Sequence, residues 1–304
     1  MHDQKPKFGV AGFPPNFKKH RLKKNRENIF EWLSELGLDW IELQNTYGVK
    51  MKKEQAELYR AKAKEFGVGI SLHAPYYITL ASADPEVVKR SQERVKQMYE
   101  LAEFIGSKRI IFHPGHFPGD SDLDRSKSLD QLILKLNELK DELPIDKIRV
   151  YPEIAGKINQ LGSLDEIIRI CKEVSFARPC LDLAHLHARE GGSLKTNKDV
   201  AKVFERIIEE LGHEVLHECH FHMYPVGVDS NGEDGHKSFS DTVRNPQMLL
   251  FDSNDDIDVY YPRARPFVEV LKTYGVNPVV ICEAKDSQDE GALRMKRIFF
   301  EEET

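Results

Sequence analysis

Cysteine is scarce in this chain: Cys171, Cys180, Cys219 and Cys282 are its only four, far apart and without a Cys-x-x-Cys pair. That spacing argues for reduced, buried thiols that pack as small hydrophobes in a reducing compartment. Long apolar runs are also missing, and none approaches the roughly 18 residues that span a bilayer, so no membrane helix is expected. The first residues, Met1 to Lys7, lack the apolar stretch and small-residue cleavage site of a secretory signal, which points to the cytoplasm. No Gly-x-Gly-x-x-Gly follows the first apolar run, which disfavours an open dinucleotide-binding sheet. No Gly-x-Ser-x-Gly is present to supply an activated serine.

What is present is regular. Short apolar, β-rich runs at 8–11, 40–43, 69–73, 109–113, 148–153, 180–183, 219–223 and 279–283 alternate with amphipathic stretches near 26–36, 53–66, 85–105, 125–142, 164–174, 197–211, 263–274 and 288–302. Strand and helix in strict alternation predict a parallel sheet built from βα units. Eight such units in 304 residues, with 40% hydrophobic and 31% charged residues, predict one soluble (β/α)8 barrel and no second domain. Helix starts carry their own signals. Asp84-Pro85 reads as an N-cap with proline in the first turn, and Ser163-x-x-Glu166 and Ser287-x-x-Glu290 read as capping boxes. One connection is long, from about 224 to 261 after the seventh strand, and it carries Asp234-Gly235-His236 in its first half. A loop of that length in a compact domain points to function. The acidic run 252–258 in its second half reads as solvated loop.

The strand ends carry the chemistry. His73, His113, Glu153, Asp182, His185, His222, Asp234, His236 and Glu283 all fall at or just beyond the carboxyl ends of successive apolar runs, the end where such barrels build their active sites. Burying that many imidazoles and carboxylates at one rim is unfavourable unless cations lie among them, so the pattern predicts a polynuclear metal site. Mixed nitrogen and oxygen ligands favour zinc, up to three ions, with manganese or iron as alternatives. His116, His187, His213, His217 and His220 do not share this placement. His220 alternates with His222 on one strand face, and His222 is preferred because it is nearer the strand end. A cluster of divalent ions would polarise a phosphoryl group, activate water and stabilise a departing oxygen, so phosphodiester hydrolysis is the expected chemistry. The net charge of -6 does not exclude a nucleic acid. Three divalent cations would add about +6 and concentrate positive charge at the site.

These residues resemble the endonuclease IV family of apurinic/apyrimidinic endonucleases, which shares the xylose isomerase-like barrel, over nearly the whole chain. The likeness is carried in order by Ser71-Leu72-His73-Ala74-Pro75-Tyr76-Tyr77, Phe112-His113-Pro114-Gly115, Asp182-Leu183-Ala184-His185, Asp234-x-His236 and Glu283. The resemblance implies that His73 and His113 hold one zinc and that Glu153 bridges it to a second, completed by Asp182, His222 and Glu283. It gives His185, Asp234 and His236 the third. It also implies cleavage of damaged double-stranded DNA 5′ to an abasic site in base-excision repair, with Glu153 and Glu283 at the catalytic centre. Tyr76 and Tyr77 would stand where the family inserts side chains into the duplex. Lys50, with Lys18, Lys19, Arg21, Lys23, Lys24, Arg26, Lys52 and Lys53, lies on loops of the same face and could meet phosphates. The chain departs from the family in three places. Gln44 to Lys50 lacks an inserting arginine, Glu153 is followed by Ile154 where the family has Asn, and His222-Met223-Tyr224-Pro225 lacks Asn-Asp. These changes mark a divergent member and leave lesion preference open.

A different class uses the same barrel. Sugar isomerases and epimerases hold one divalent ion with a set that Glu153, Asp182, His222 and Glu283 would supply, the two Glu moving a proton beside a carbonyl. His73, His113, His185 and Asp234-x-His236 are surplus to that chemistry and favour the nuclease. An ultraviolet-damage-type endonuclease is a second nuclease alternative. A non-catalytic scaffold fits less well, because structural zinc sites are closed and four-coordinate. No membrane or protein partner is implied, and a monomer is expected.

Overall fold

Every one of the eight apolar runs folds as a parallel strand of a single barrel. The structure is a computed structural model that describes residues 5–117, 122–239 and 260–301. The strands are β1 (Lys7–Ala11), β2 (Trp40–Gln44), β3 (Gly69–His73), β4 (Arg109–Phe112), β5 (Arg149–Pro152), β6 (Cys180–Asp182), β7 (His220–His222), β8 (Val226–Asp229), β9 (Gly232–His236) and β10 (Val279–Cys282). Eight of them pair in the order β5-β4-β3-β2-β1-β10-β7-β6. Parallel bridges from Val150 to Ala177 and from Glu153 to Cys180 bring the two outer strands together and all but close the barrel. The chain is therefore one (β/α)8 unit, with helices Ile29–Leu36, Lys53–Phe66, Pro85–Ile105, Asp122–Glu138, Leu164–Glu173, Asn197–Leu211, Ala264–Tyr274 and Gln288–Phe300 between strands.

Local chemistry explains the boundaries. Asp84 accepts from the Glu86 amide at 2.8 Å, Pro85 opens the helix, and Gly106 ends it at φ 77°, a left-handed position that favours glycine. Ser163 and Glu166 form the expected capping box. The Ser287 box does not form. Ser287 Oγ instead accepts from the Phe239 amide and from Ser238 Oγ, both at 2.9 Å. That serine ties the connection after β7 to the barrel, because its hydroxyl meets a stronger set of donors there than at its own helix.

Alternation along the strands divides the core. A large cluster fills the layer between sheet and helices. Two small ones, Ala11 with Val279 and Ile281 against Trp40, and Ile111 with Tyr151 and Cys180, stand apart from it. Ile111, Tyr151, Cys180 and Ile281 of these clusters lie two residues before His113, Glu153, Asp182 and Glu283, so they share a face with them. The barrel interior thus has an apolar floor beneath a polar rim. Trp40 in that floor needs glycine neighbours, since a Cβ on Gly69 would stand 2.2 Å from its ring.

Among the elements outside the periodic pattern, two border the rim: a short helix, Leu183–Arg189, directly after β6, and an antiparallel hairpin of β8 and β9 in the long connection after β7. The acidic run 252–258 lies outside the described residues.

Candidate metal centre

Six strands deliver polar side chains to one rim. His73 and His222 end β3 and β7, Asp182 ends β6, and His113, Glu153 and Glu283 immediately follow β4, β5 and β10. Glu153 is fully buried at the centre. His73 Nε2 lies 3.0 Å from its Oε2 and His113 Nε2 3.4 Å from the same atom. On the other oxygen, Oε1, His222 Nδ1 stands at 3.1 Å and His185 Nδ1 at 3.4 Å. His222 Nδ1 also faces Asp182 at 3.5 Å and Glu283 at 3.9 Å.

A third group forms beside these, and it differs from the sequence expectation. His185 Nε2 and His236 Nε2 approach the two oxygens of Glu233 at 3.3 and 3.5 Å. Asp234 does not take part: its side chain is 64% exposed and pairs with Lys237. The reason is a register shift. Val226 faces His236 and Val228 faces Glu233, so β9 carries an irregularity, with Gly235 at φ 73°. A left-handed residue in a bulge breaks strict alternation, which turns Glu233 inward together with His236 and turns Asp234 out.

Sequence reasoning also missed Glu42, fully buried on β2. Its Oε1 lies 3.2 Å from His222 Nε2 and its Oε2 2.8 Å from His220 Nε2. Ser71 Oγ donates to it at 3.1 Å and Gln44 Nε2 at 3.2 Å. The available signal was a glutamate flanked by Ile41 and Leu43 in an apolar strand. His220, set aside from the sequence, is therefore the neighbour of His222 beneath the rim and not a rim group itself.

The hydrogen bonds show what the imidazoles can do. A carbonyl oxygen only accepts, so a ring nitrogen facing one carries the proton. His73 Nδ1 donates to Ala74 O at 2.9 Å, His185 Nδ1 to Ile154 O at 2.9 Å and His236 Nδ1 to Glu283 O at 2.8 Å. In the neutral ring each Nε2 is then a lone pair aimed at a carboxylate, a repulsive contact unless a proton or a metal ion lies between. Main-chain bonds of this kind orient histidine ligands, and Glu42 on the far nitrogen of His222 has the same role. The donor set of imidazoles and carboxylates, with ligand atoms within 4.8 Å of one another in each group, fits borderline divalent metals such as zinc.

Without a cation the site is charge-frustrated. Burial disfavours charge on His73, yet the Glu153 hydrogen bond and charge outweigh it and raise its pKa to about 9. Burial likewise opposes charge on His185 and His222, but Asp182 and Glu153 hold His185, and Cys180, Glu283, Glu42 and Glu153 hold His222, well above the usual range. His113 goes the other way, to about 4, because burial exceeds the pull of Glu153. Burial would lift Glu153, but the surrounding imidazoles keep it well below the ordinary carboxylate range. Burial dominates at Glu283 and raises it. Protons on imidazoles thus take the place that metal charge would fill.

Above the rim lies a cavity of about 450 Å³ reached past Gln44, Thr46, Tyr76 and Lys157. Tyr76 is 55% exposed at its edge. Tyr77, expected alongside it, is turned away, half-buried beneath the Arg94 guanidinium at 4.5 Å. Lys50 lies outside this cavity, in an adjoining recess of about 460 Å³ that shares Gln44 and Thr46 with it. Lys18, Arg26 and Lys50 line that recess, and among the described residues no carboxylate does. Tyr47, 70% exposed, stands between with Lys50 Nζ 5.5 Å from its ring centre. His116 bonds Gln160 at the mouth, His187 stacks on Tyr261, and His213 and His217 group with Glu214 away from the rim.

Comparison with known proteins agrees with this architecture. The family described as xylose isomerase-like TIM barrel matches residues 30–298. The chain is similar to an uncharacterized protein of Methanocaldococcus jannaschii, 28% identical over 295 residues that make up 95% of each chain. It is also similar to a probable endonuclease 4 of Thermoplasma acidophilum, 28% identical over 71% of this chain and 65% of that protein. Among solved structures it resembles endonuclease IV from Thermus thermophilus, with TM-score 0.66, 17% identity and coverage of 97% and 98%. D-Psicose 3-epimerase from Clostridium cellulolyticum H10 aligns with TM-score 0.64, 13% identity and coverage of 96% and 98%. At such identities these two likenesses establish the fold alone.

Proposed function

Because the chain belongs to the xylose isomerase-like TIM-barrel family, we propose that it is a zinc-dependent phosphodiesterase that nicks damaged double-stranded DNA 5′ to abasic sites. The observation that carries this reading is the set of three imidazoles, His73, His185 and His236, whose Nδ1 atoms are bound to main-chain carbonyls so that each Nε2 is free to ligate. A single-ion sugar enzyme needs only the quartet of Glu153, Asp182, His222 and Glu283. Here a second and a third group of donors adjoin it, with Glu233 in the place that the sequence assigned to Asp234.

In this reading His73 and His113 would hold one ion, Asp182, His222 and Glu283 a second, and His185, Glu233 and His236 a third, with Glu153 available to the first two. The bound ions would supply Lewis acidity and a nucleophilic water. The protein's own groups do the rest. Glu153 and Glu283 face the reacting centre, and Gln44 holds Glu283 by a 3.1 Å hydrogen bond. Tyr224 fixes Asp182 through its hydroxyl at 3.0 Å. Exposed Tyr76 and Tyr47 offer aromatic faces at the mouth against which a displaced base could stack. Lys18, Arg26 and Lys50, free of carboxylates in their recess, suit a further phosphate of an extended strand. The free cysteines fit a reducing compartment, and no helix among the described residues is long and apolar enough to cross a membrane.

The experiment is direct. Purified protein is expected to carry about three zinc ions per chain and to nick an abasic-site duplex, with chelation abolishing the cut. His73→Ala should lower both metal content and nicking, the rate by about 100-fold or more. The D-psicose 3-epimerase likeness provides the second arm: one ion per chain, intact abasic duplex and turnover of a ketose would replace the nuclease reading with an epimerase centred on Glu153, Asp182, His222 and Glu283.

A further inference from the structure

The end of the barrel opposite the metal centre carries an excess of positive charge. A cavity of about 1040 Å³ opens where β4 and β5 begin, lined by Arg60, Lys108, Arg109, Lys147 and Arg149 against two carboxylates, Glu103 and Asp146. A recess of about 460 Å³ shares Trp40 and Arg60 with it and adds Lys7 and Lys64 against one carboxylate, Asp39. The chain as a whole is acidic, at -6, so this basin runs against the bulk charge.

Packing does not account for it. Arg109 and Arg149 face each other in register on neighbouring strands, where like charges destabilise a pair. Arg109 is engaged: its guanidinium lies 4.8 Å from the Tyr151 ring centre and donates to Glu218 O and Cys219 O at 2.9 and 3.2 Å. Arg60, Lys108, Lys147 and Arg149 form no ion pair among the described residues. Helices Lys53–Phe66 and Pro85–Ile105 end at this face, and each helix C-terminus presents about half a negative charge. Only the second of them ends at the larger cavity, through Gly106, and it offsets about half of one of the three surplus cations there. Trp40 lines both cavities, and its buried indole Nε1–H has no hydrogen-bond partner. The Arg60 side chain crosses Gly106 so closely that a Cβ there would stand 3.2 Å from it, and a side chain at 106 would crowd the arginine at the basin's edge.

We propose that this basin is a second ligand site that binds a compact anion carrying several phosphates, held by Arg60, Lys108, Lys147 and Arg149. Arginine forks and lysine ammonium groups match phosphate oxygens in geometry and charge, and a cavity of this size suits a small ligand. A short polyphosphate and a segment of nucleic-acid backbone present the same chemistry. The site lies at the far end of the barrel and does not depend on the reaction assigned to the metal centre.

Calorimetric titration of the full-length, metal-loaded protein tests this, with inorganic tripolyphosphate in one arm and a short single-stranded oligonucleotide without abasic sites in the other. Saturable binding is expected, weakened by about tenfold or more in Lys108→Glu/Lys147→Glu and in Arg60→Gln, all exposed positions whose replacement leaves the core intact. Loss of a tripolyphosphate signal identifies a small polyphosphate as the ligand type, and loss of an oligonucleotide signal alone identifies the nucleic-acid backbone. Absence of binding in the unmodified protein, or equal binding in the unmodified protein and both variants, overturns the proposal.

Discussion

Glu42 lies fully buried on β2 with both carboxylate oxygens engaged, Oε1 by His222 Nε2 and Oε2 by His220 Nε2. Burial alone would raise its pKa, but the charge and hydrogen bonds of the two histidines drive it far below the ordinary range, so it stays ionised. Its role is to fix which nitrogen of His222 faces Glu153, Asp182 and Glu283. Glu42→Gln keeps the shape and removes the charge. Zinc affinity is expected to fall by about 10- to 100-fold, the usual consequence of losing an outer partner of a histidine ligand. Competition with a chromophoric chelator measures it. A melting temperature that drops while zinc affinity holds would reduce Glu42 to a packing role. At this scale the sequence was legible for rim residues, because strand ends are visible as apolar runs that stop at His or Glu. It was not legible for Glu42, because its partners His220 and His222 are 178 residues or more away along the chain and only barrel closure brings them together.

The β8–β9 hairpin is the element that completes the third donor group. It docks on the segment after β5 through Glu233 N to Gly156 O at 3.3 Å and Ile158 N to Asn231 O at 3.4 Å. Gly232 makes the approach possible: its φ is 106° and a Cβ would stand 2.2 Å from Gly156 O. Gly232→Ala is therefore expected to lift the hairpin, withdraw Glu233 and His236, and reduce metal content by about one ion per chain. The strain should destabilise the protein by only about 1–3 kcal/mol, so elemental analysis and a melting curve separate loss of the site from loss of the fold. Full metal content with unchanged nicking would show that Glu233 and His236 are dispensable. Asn231-Gly232 between two strand-forming runs is a hairpin signal that the sequence carried. The sequence places Asp234-x-His236 in a loop, which leaves the strand and its irregularity at Gly235 out of view, and the register shift there brings Glu233 inward in place of Asp234.

Across the whole molecule the metal centre is a balance of protons and cations. His73 at about 9, and His185 and His222 well above the usual range, bind protons at pH 7 when no metal is present. A metal ion must expel those protons, so its apparent affinity falls as pH falls, by up to about tenfold per pH unit for each proton displaced. Zinc is expected to be retained on dialysis at pH 8 and lost at pH 5, and loading at pH 7 should release protons, measurable as a dependence of the binding heat on buffer ionisation. Metal binds only the folded rim, so chelation should also lower the melting temperature. A zinc content insensitive to pH and a melting curve insensitive to chelator would place the ions elsewhere.

Periodicity and strand-end position were local properties, so the sequence by itself determined the eight βα units, the barrel they form, the helix caps at Asp84 and Ser163 and the rim to which His73, His113, Glu153, Asp182, His185, His222, His236 and Glu283 belong. Only the tertiary structure decided which nitrogen of each histidine faces inward, that Glu42 orients His222, that Glu233 displaces Asp234, and that the barrel's far end gathers Arg60, Lys108, Lys147 and Arg149. Those features depend on contacts between segments distant along the chain, on a bulge whose geometry no periodic pattern encodes, and on charge brought together only when the strands close into a ring.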